Sequence, residues 1–82
     1  VDVGTDCEYD VGGIKTQRVA RGTRDFLEGE AMTEQQTLAA LQIGAETVFE
    51  AVEAGANLLA LGEIGIGNTS SAAALLGLLT QA

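Results

Sequence analysis

The sequence predicts an α/β fold, a short parallel sheet with flanking helices that is part of a larger Rossmann-like three-layer domain. Three observations predict it: a 3.6-period apolar pattern over 33–54, an unbroken apolar run over 57–62, and a second apolar segment over 70–80 behind a glycine-rich turn. A helix, a strand buried on both faces, a tight turn and a helix follow one another in open parallel sheets. The 82 residues read as one partial domain, 1–82, with 1–30 as loop and short strand, 33–54 as amphipathic helix, 57–62 as buried strand, 63–70 as glycine-rich loop and 70–80 as buried helix.

The first thirty residues are charged and punctuated by Gly4, Gly12, Gly13, Gly22 and Gly29, which mark turns between short strands at Val1, Val3 and Tyr9–Val11. All four cations lie here, three residues apart: Lys15, Arg18, Arg21 and Arg24. No apolar periodicity accompanies them. They form either a solvated surface strip or a loop that faces an anion or a subunit.

Thr33, with Gln36 three residues on, has the spacing of a capping box, in which the hydroxyl accepts from one end of the first turn while the amide reaches back to the other. Leu38, Leu41, Ala45, Val48, Phe49 and Val52 then recur at steps of three and four. Glu46, Glu50 and Glu53 turn elsewhere, and Gly55 supplies the stop. The pattern is that of a helix covering one side of a core, and it carries no chemistry.

From Ala54 to Ala82 the one ionisable side chain is Glu63. Asn57 to Leu61 has the composition of a parallel-sheet strand, and Ala72 to Leu79 is apolar on every side of a helix, so that helix belongs inside a larger body. The chain opens on Val1 without an initiator Met and stops directly after an apolar run. It therefore reads as a piece of a longer protein.

Composition narrows the function classes. A domain of 82 residues buries only about 60% of its unfolded surface, which leaves no room for a large self-sufficient enzyme. Twelve acids against four cations give a net charge of −8, which repels the phosphate backbone of nucleic acid. A hydrophobic fraction of 46% is too high for a disordered acidic tail, and an aromatic fraction of 4% makes any core aliphatic. Cys7 has no partner for an internal disulfide and no secretory leader is visible, so a reducing cytoplasm is expected. The uncharged stretch from Ile64 onward is interrupted by Asn68, Thr69, Ser70, Ser71 and glycines, which argues against a membrane span. Asp2, Asp6, Glu8 and Asp10 miss the calcium-loop pattern, because the required glycine and bidentate acid positions fall on Val11 and Gln17. With no His and one Cys, neither a metal nor a Ser–His or Cys–His nucleophile is expected, and no cofactor is implied.

The segment that can carry chemistry is Gly62-Glu63-Ile64-Gly65-Ile66-Gly67-Asn68-Thr69-Ser70-Ser71. A strand that enters a glycine turn and then a Ser/Thr-rich helix start offers convergent N–H groups and the positive end of a helix dipole to an anion. The dinucleotide spacing fails at Ser70, and the acidic residue expected about 20 positions later lies past the chain end; no Lys completes a P-loop. The turn is either a phosphate cradle or a structural turn with a helix cap. Glu63, at the carboxyl end of the strand, suits a ribose hydroxyl or a cationic nitrogen.

These residues, with Gly22-Thr23-Arg24-Asp25-Phe26 and Ala31-Met32-Thr33 before them, resemble the nicotinate-nucleotide–dimethylbenzimidazole phosphoribosyltransferase family. In that family a Gly-Thr-Arg-Asn-Phe segment, an Ala-Met-Thr helix start and a Gly-Glu-Met-Gly-Ile-Gly-Asn-Thr-Thr loop occur in this order. The departures are Asp25 for Asn, Ile64 for Met and Ser70 for Thr. The resemblance implies a central fragment of an enzyme that moves the phosphoribosyl group of nicotinate mononucleotide onto 5,6-dimethylbenzimidazole, in cobalamin lower-ligand synthesis. It implies that Glu63, Gly65, Ile66, Gly67, Asn68, Thr69 and Ser70 bind substrate, Ile66 and Ser70 through their backbone. The family's general base, a glutamate, falls outside these 82 residues, so the catalytic residues are unassigned and the piece alone should be inert. Partners expected are the two substrates and a second copy, as a dimer, with no nucleic acid and no membrane. A second reading is a non-catalytic small α/β domain that self-associates, its glycine turn structural. A dinucleotide-binding domain ranks third.

Overall fold

The computed structural model describes residues 1–81. Two helices organise it, α1 at Glu34–Glu53 and α2 at Asn68–Thr80. Helix α1 begins as its sequence dictates. The Thr33 hydroxyl accepts from the Gln36 N–H at 3.1 Å while the Gln36 side chain accepts from the Thr33 N–H at 2.9 Å. Its end is equally local: Gly55 takes φ 103°, its N–H reaches the Val52 carbonyl, and the Ala56 N–H reaches back to Ala51, both at 3.0 Å. That pairing is a Schellman stop, and a left-handed residue is its requirement. Thr33→Ala should lower unfolding stability by about 1 kcal/mol, the usual value of such a cap, with Thr33→Ser retaining most of it. Urea unfolding followed by helical circular dichroism measures both.

No parallel sheet is present among the described residues, which corrects the α/β expectation. What exists is one isolated parallel bridge between Asp2 and Thr16, extended by backbone bonds from Val19 to Val3 and from Gly22 to Gly4 at 2.8 and 2.7 Å. The expected strand at 57–62 is not formed. From Asn57 to Ile64 no backbone N–H or C=O finds a partner among the described residues, and Leu61 is 94% exposed. An apolar run reports what favours burial, whereas a strand is made by a neighbour's hydrogen bonds, and no described segment bonds to this one. Tyr9–Val11 is likewise a bend followed by irregular chain and not a strand.

The helix expected over 70–80 forms but begins earlier, at Asn68, and it is not buried. Leu75, Leu76, Leu78 and Leu79 are all exposed. No described residue is fully buried. The accessible surface is 6938 Å², against about 4,600 Å² for a compact monomer of this mass, and the radius of gyration is 14.0 Å against about 12 Å. Helix α1 explains part of the excess. Its half-buried stripe is Gln36, Ala40, Ile43, Thr47 and Ala51, whereas the predicted stripe from Leu38 to Val52 faces outward, with Phe49 71% exposed. Both faces of the helix carry apolar residues, and the chain's own loops cover one of them.

Residues 1–22 are held by a charged clasp that sequence spacing did not disclose. Asp2 accepts from the Gly4 and Thr5 N–H groups and the Thr5 hydroxyl at 2.7–3.1 Å, and from Arg18 at 2.8 Å. Arg18 also donates to Asp10 and to the Tyr9 carbonyl. The Thr5 donors, followed by Arg18, hold the Asp2 carboxyl at about 2, well below its ordinary 3.8. A depressed carboxylate stabilises the fold above its unfolded value and loses that contribution as pH falls through its folded value. The clasp should therefore contribute its full stability above about pH 4, lose that contribution as pH falls from about 4 to 2, and open as Asp2 protonates near pH 2, and Asp2→Asn should remove this part of the pH dependence. Amide chemical shifts of Gly4 and Thr5 read it directly.

No helix among the described residues is long and apolar enough to cross a membrane. No group of three or more His, Cys, Asp or Glu among them is placed to hold a metal ion.

Candidate functional site

The glycine loop joins the unpaired apolar run to α2, and local chemistry shapes it. Gly67 stands at the N-cap of α2 with φ 75° and ψ 0°, a left-handed position with no side chain to cap the helix. The helix closes instead through the Gly67 carbonyl, which accepts from Ser70 at 3.2 Å and Ser71 at 3.4 Å, while Asn68 donates to Gly65 at 3.2 Å. The consequence is a row of free donors. The N–H groups of Gly65, Ile66, Gly67 and Thr69 have no acceptor among the described residues. Exposed N–H groups at a helix start are what an anion needs.

Glu63 sits across this row. Its carboxylate accepts from the Asn68 side-chain amide and from the Thr69 hydroxyl, the latter at 3.1 Å. The structure thus brings Glu63, Asn68 and Thr69 together in one hydrogen-bonded group. Gly65 and Gly67 flank it through the backbone, with Gly65 close against the Asn68 side chain. Ile66 points outward, fully exposed, and the Ser70 side chain makes no hydrogen bond among the described residues. Neither side chain joins the hydrogen-bonded group. Asn68 and Thr69 do not cap the helix, as their residue types suggest; Glu63 has claimed their side chains.

The loop is positioned by a groove of about 470 Å³ between the first residues and the returning chain. It is lined by Val1 and Val3, by Ala40, Ile43 and Thr47 of α1, and by Leu59 to Gly62. Helix α1 ends at Glu53, Gly55 turns the chain, and Leu59 to Gly62 share the groove with its Ala40–Ala51 segment, so the chain returns alongside the helix. Of the cations, Lys15 pairs with Glu50 of α1 at 2.7 Å and Arg18 with Asp2 and Asp10. Arg21 and Arg24 form no ion pair among the described residues.

The whole chain, residues 1–82, matches the model of a family described as phosphoribosyltransferase. Among curated proteins it is similar to nicotinate-nucleotide–dimethylbenzimidazole phosphoribosyltransferases. The Clostridium acetobutylicum protein is 38% identical over 80 residues, covering 98% of this chain and 23% of the relative. The Geobacter sulfurreducens protein is 44% identical over 77 residues, 93% of this chain and 22% of the relative. The Pseudomonas putida protein is 46% identical over 80 residues, 96% of this chain and 23% of the relative. The chain thus spans under a quarter of the length of these relatives. No solved structure matches it.

Proposed function

The chain belongs to the phosphoribosyltransferase family, and we propose that its glycine loop is the nucleotide site of an enzyme that transfers the phosphoribosyl group of nicotinate mononucleotide to 5,6-dimethylbenzimidazole. The observation that carries this reading is the row of free N–H groups at Gly65, Ile66, Gly67 and Thr69 beside the Glu63 carboxylate. Donors of this kind suit a ribose phosphate, and a fixed acceptor suits the ribose hydroxyls. Relatives similar along almost the whole chain bear the name of this reaction.

In the reaction so read, the azole nitrogen of dimethylbenzimidazole attacks the anomeric carbon of the ribose and nicotinate leaves. A base takes the azole proton, and no residue of this chain is assigned that task. These residues position. The loop amides hold the phosphate, Glu63 fixes the ribose through its hydroxyls, and both attacking and leaving groups are thereby kept in line at one carbon. The enzyme so proposed is a cytoplasmic homodimer that acts on small molecules, with no role for nucleic acid or membrane; light scattering of the intact gene product tests the dimer.

The test is calorimetric titration with nicotinate mononucleotide, of the 82-residue chain and of the intact gene product that carries it. The intact protein should bind and, given dimethylbenzimidazole, release nicotinate, whereas the 82-residue chain should show no turnover. An intact protein that neither binds the mononucleotide nor releases nicotinate would leave the second reading, a self-associating domain with a structural turn.

A further inference from the structure

We propose that Arg21 and Arg24 supply the positive charge for the substrate phosphate, a deepening that rests on the nucleotide-site reading. The argument begins from charge balance. Within residues 54–82 the one ionisable side chain is Glu63, so this segment offers a phosphate dianion neutral donors and an adjacent carboxylate. Phosphate held without a counter-charge beside a carboxylate pays the repulsion of two like charges at close range. The chain contains four cations, and two of them are spent: Lys15 on Glu50 and Arg18 on Asp2 and Asp10.

Arg21 and Arg24 form no ion pair and no side-chain hydrogen bond among the described residues, in a chain with twelve carboxylates. The nearest in sequence makes a different bond. Asp25 accepts from the Leu27 N–H at 2.9 Å and so closes its own turn. The backbone around the two arginines is pinned on both sides, by Gly22 to the Gly4 carbonyl at 2.7 Å and by Arg24 to the Ala31 carbonyl at 2.9 Å. Exposed guanidiniums on an anchored turn retain their bidentate fork for a ligand.

Topology brings this turn and the glycine loop to the same end of α1. The Ala31 carbonyl that holds Arg24 lies just before the Thr33 cap, so the turn stands at the helix N-terminus. Lys15, at the opposite end of the pairing with residues 2–4, reaches Glu50 near the helix C-terminus, which fixes the direction of Val1 to Gly4 as running toward the N-terminal end. Leu59 to Gly62 share the groove with Val1 and Val3, and they follow the Gly55 stop at the C-terminal end of the helix. Gly4 and Gly62 therefore deliver their loops, the arginine turn and the glycine loop, to one side of the molecule.

The experiment measures the intact gene product and its R21Q, R24Q and R21Q/R24Q variants. KM for nicotinate mononucleotide should rise about tenfold in each single variant and further in the double, with kcat falling far less. Binding of nicotinate riboside, which lacks the phosphate, should stay the same throughout. R21K and R24K, which keep the charge and lose the fork, should fall between. An unchanged KM in the double variant overturns the proposal, as does equal weakening of the riboside. If the unmodified protein does not use the mononucleotide, the nucleotide-site reading itself has failed. Titration with inorganic phosphate then decides the arginines: binding lost in R21Q/R24Q supports them, and binding equal in both proteins, or absent from both, overturns them.

Discussion

Gly67→Val should reduce the affinity of the intact protein for nicotinate mononucleotide by about a hundredfold or more while leaving its helix content nearly unchanged. Gly67 occupies φ 75°, a region that costs an ordinary L-residue roughly 1–2 kcal/mol and is a true outlier for a β-branched one. The cost is conformational. A Cβ built at this position meets nothing within 4 Å, so no clash forces the neighbours apart. The loop relieves the strain by taking Gly67 to negative φ, which turns the N–H groups of Ile66, Gly67 and Thr69 away from their common point. Helix α2 survives because Gly67 gives it no side-chain cap to lose. Gly29→Ala is the control: its backbone is not left-handed and its Cβ direction is open, so binding should persist. Unchanged mononucleotide affinity in Gly67→Val, with the fold verified by urea unfolding, would show that the turn is structural and remove it from the nucleotide site.

Local features of the fold were legible in the sequence because local bonds make them. Thr33 and Gln36 announce a reciprocal cap and form it, and Gly55 announces a stop and takes the left-handed angle that the stop needs. Legibility ended where a feature depends on residues far along the chain. Leu58, Leu59 and Leu61 have the composition of a buried strand, yet strand formation needs a hydrogen-bonding partner, and no described residue pairs with their backbone. The inward stripe of α1 was missed for a related reason. Gln36, Ala40, Ile43, Thr47 and Ala51 are smaller and more polar than Leu38, Leu41, Phe49 and Val52, so hydropathy ranked the faces by size and not by what lies against them. The Asp2–Arg18 clasp joins residues sixteen apart across a turn-rich segment without periodicity, and no spacing rule reports such a pair. For the candidate site, glycine content disclosed the loop, but no spacing rule announced that Asn68 and Thr69 would give their side chains to Glu63 and leave the helix start without a side-chain cap.

That exchange of partners makes Glu63→Gln the second large effect, with an outcome that differs in sign between two ligands. The variant preserves volume and one carbonyl acceptor while it removes the charge. Asn68 and Thr69 can still be satisfied, because a Gln oxygen accepts from one and the Thr hydroxyl can turn to accept from the new amide. The fold should hold. What is lost is a charge-assisted acceptor for the ribose hydroxyls, worth roughly 1.5–3 kcal/mol, so affinity for nicotinate mononucleotide should fall about tenfold to a hundredfold. Inorganic phosphate has no ribose, and at the same amides it meets only the repulsion of the carboxylate. Its affinity should stay the same or rise in the variant. A fall for both ligands would mean that Glu63 acts by holding the loop in shape. A mononucleotide affinity that does not change would remove Glu63 from the site and leave the backbone donors as its whole content.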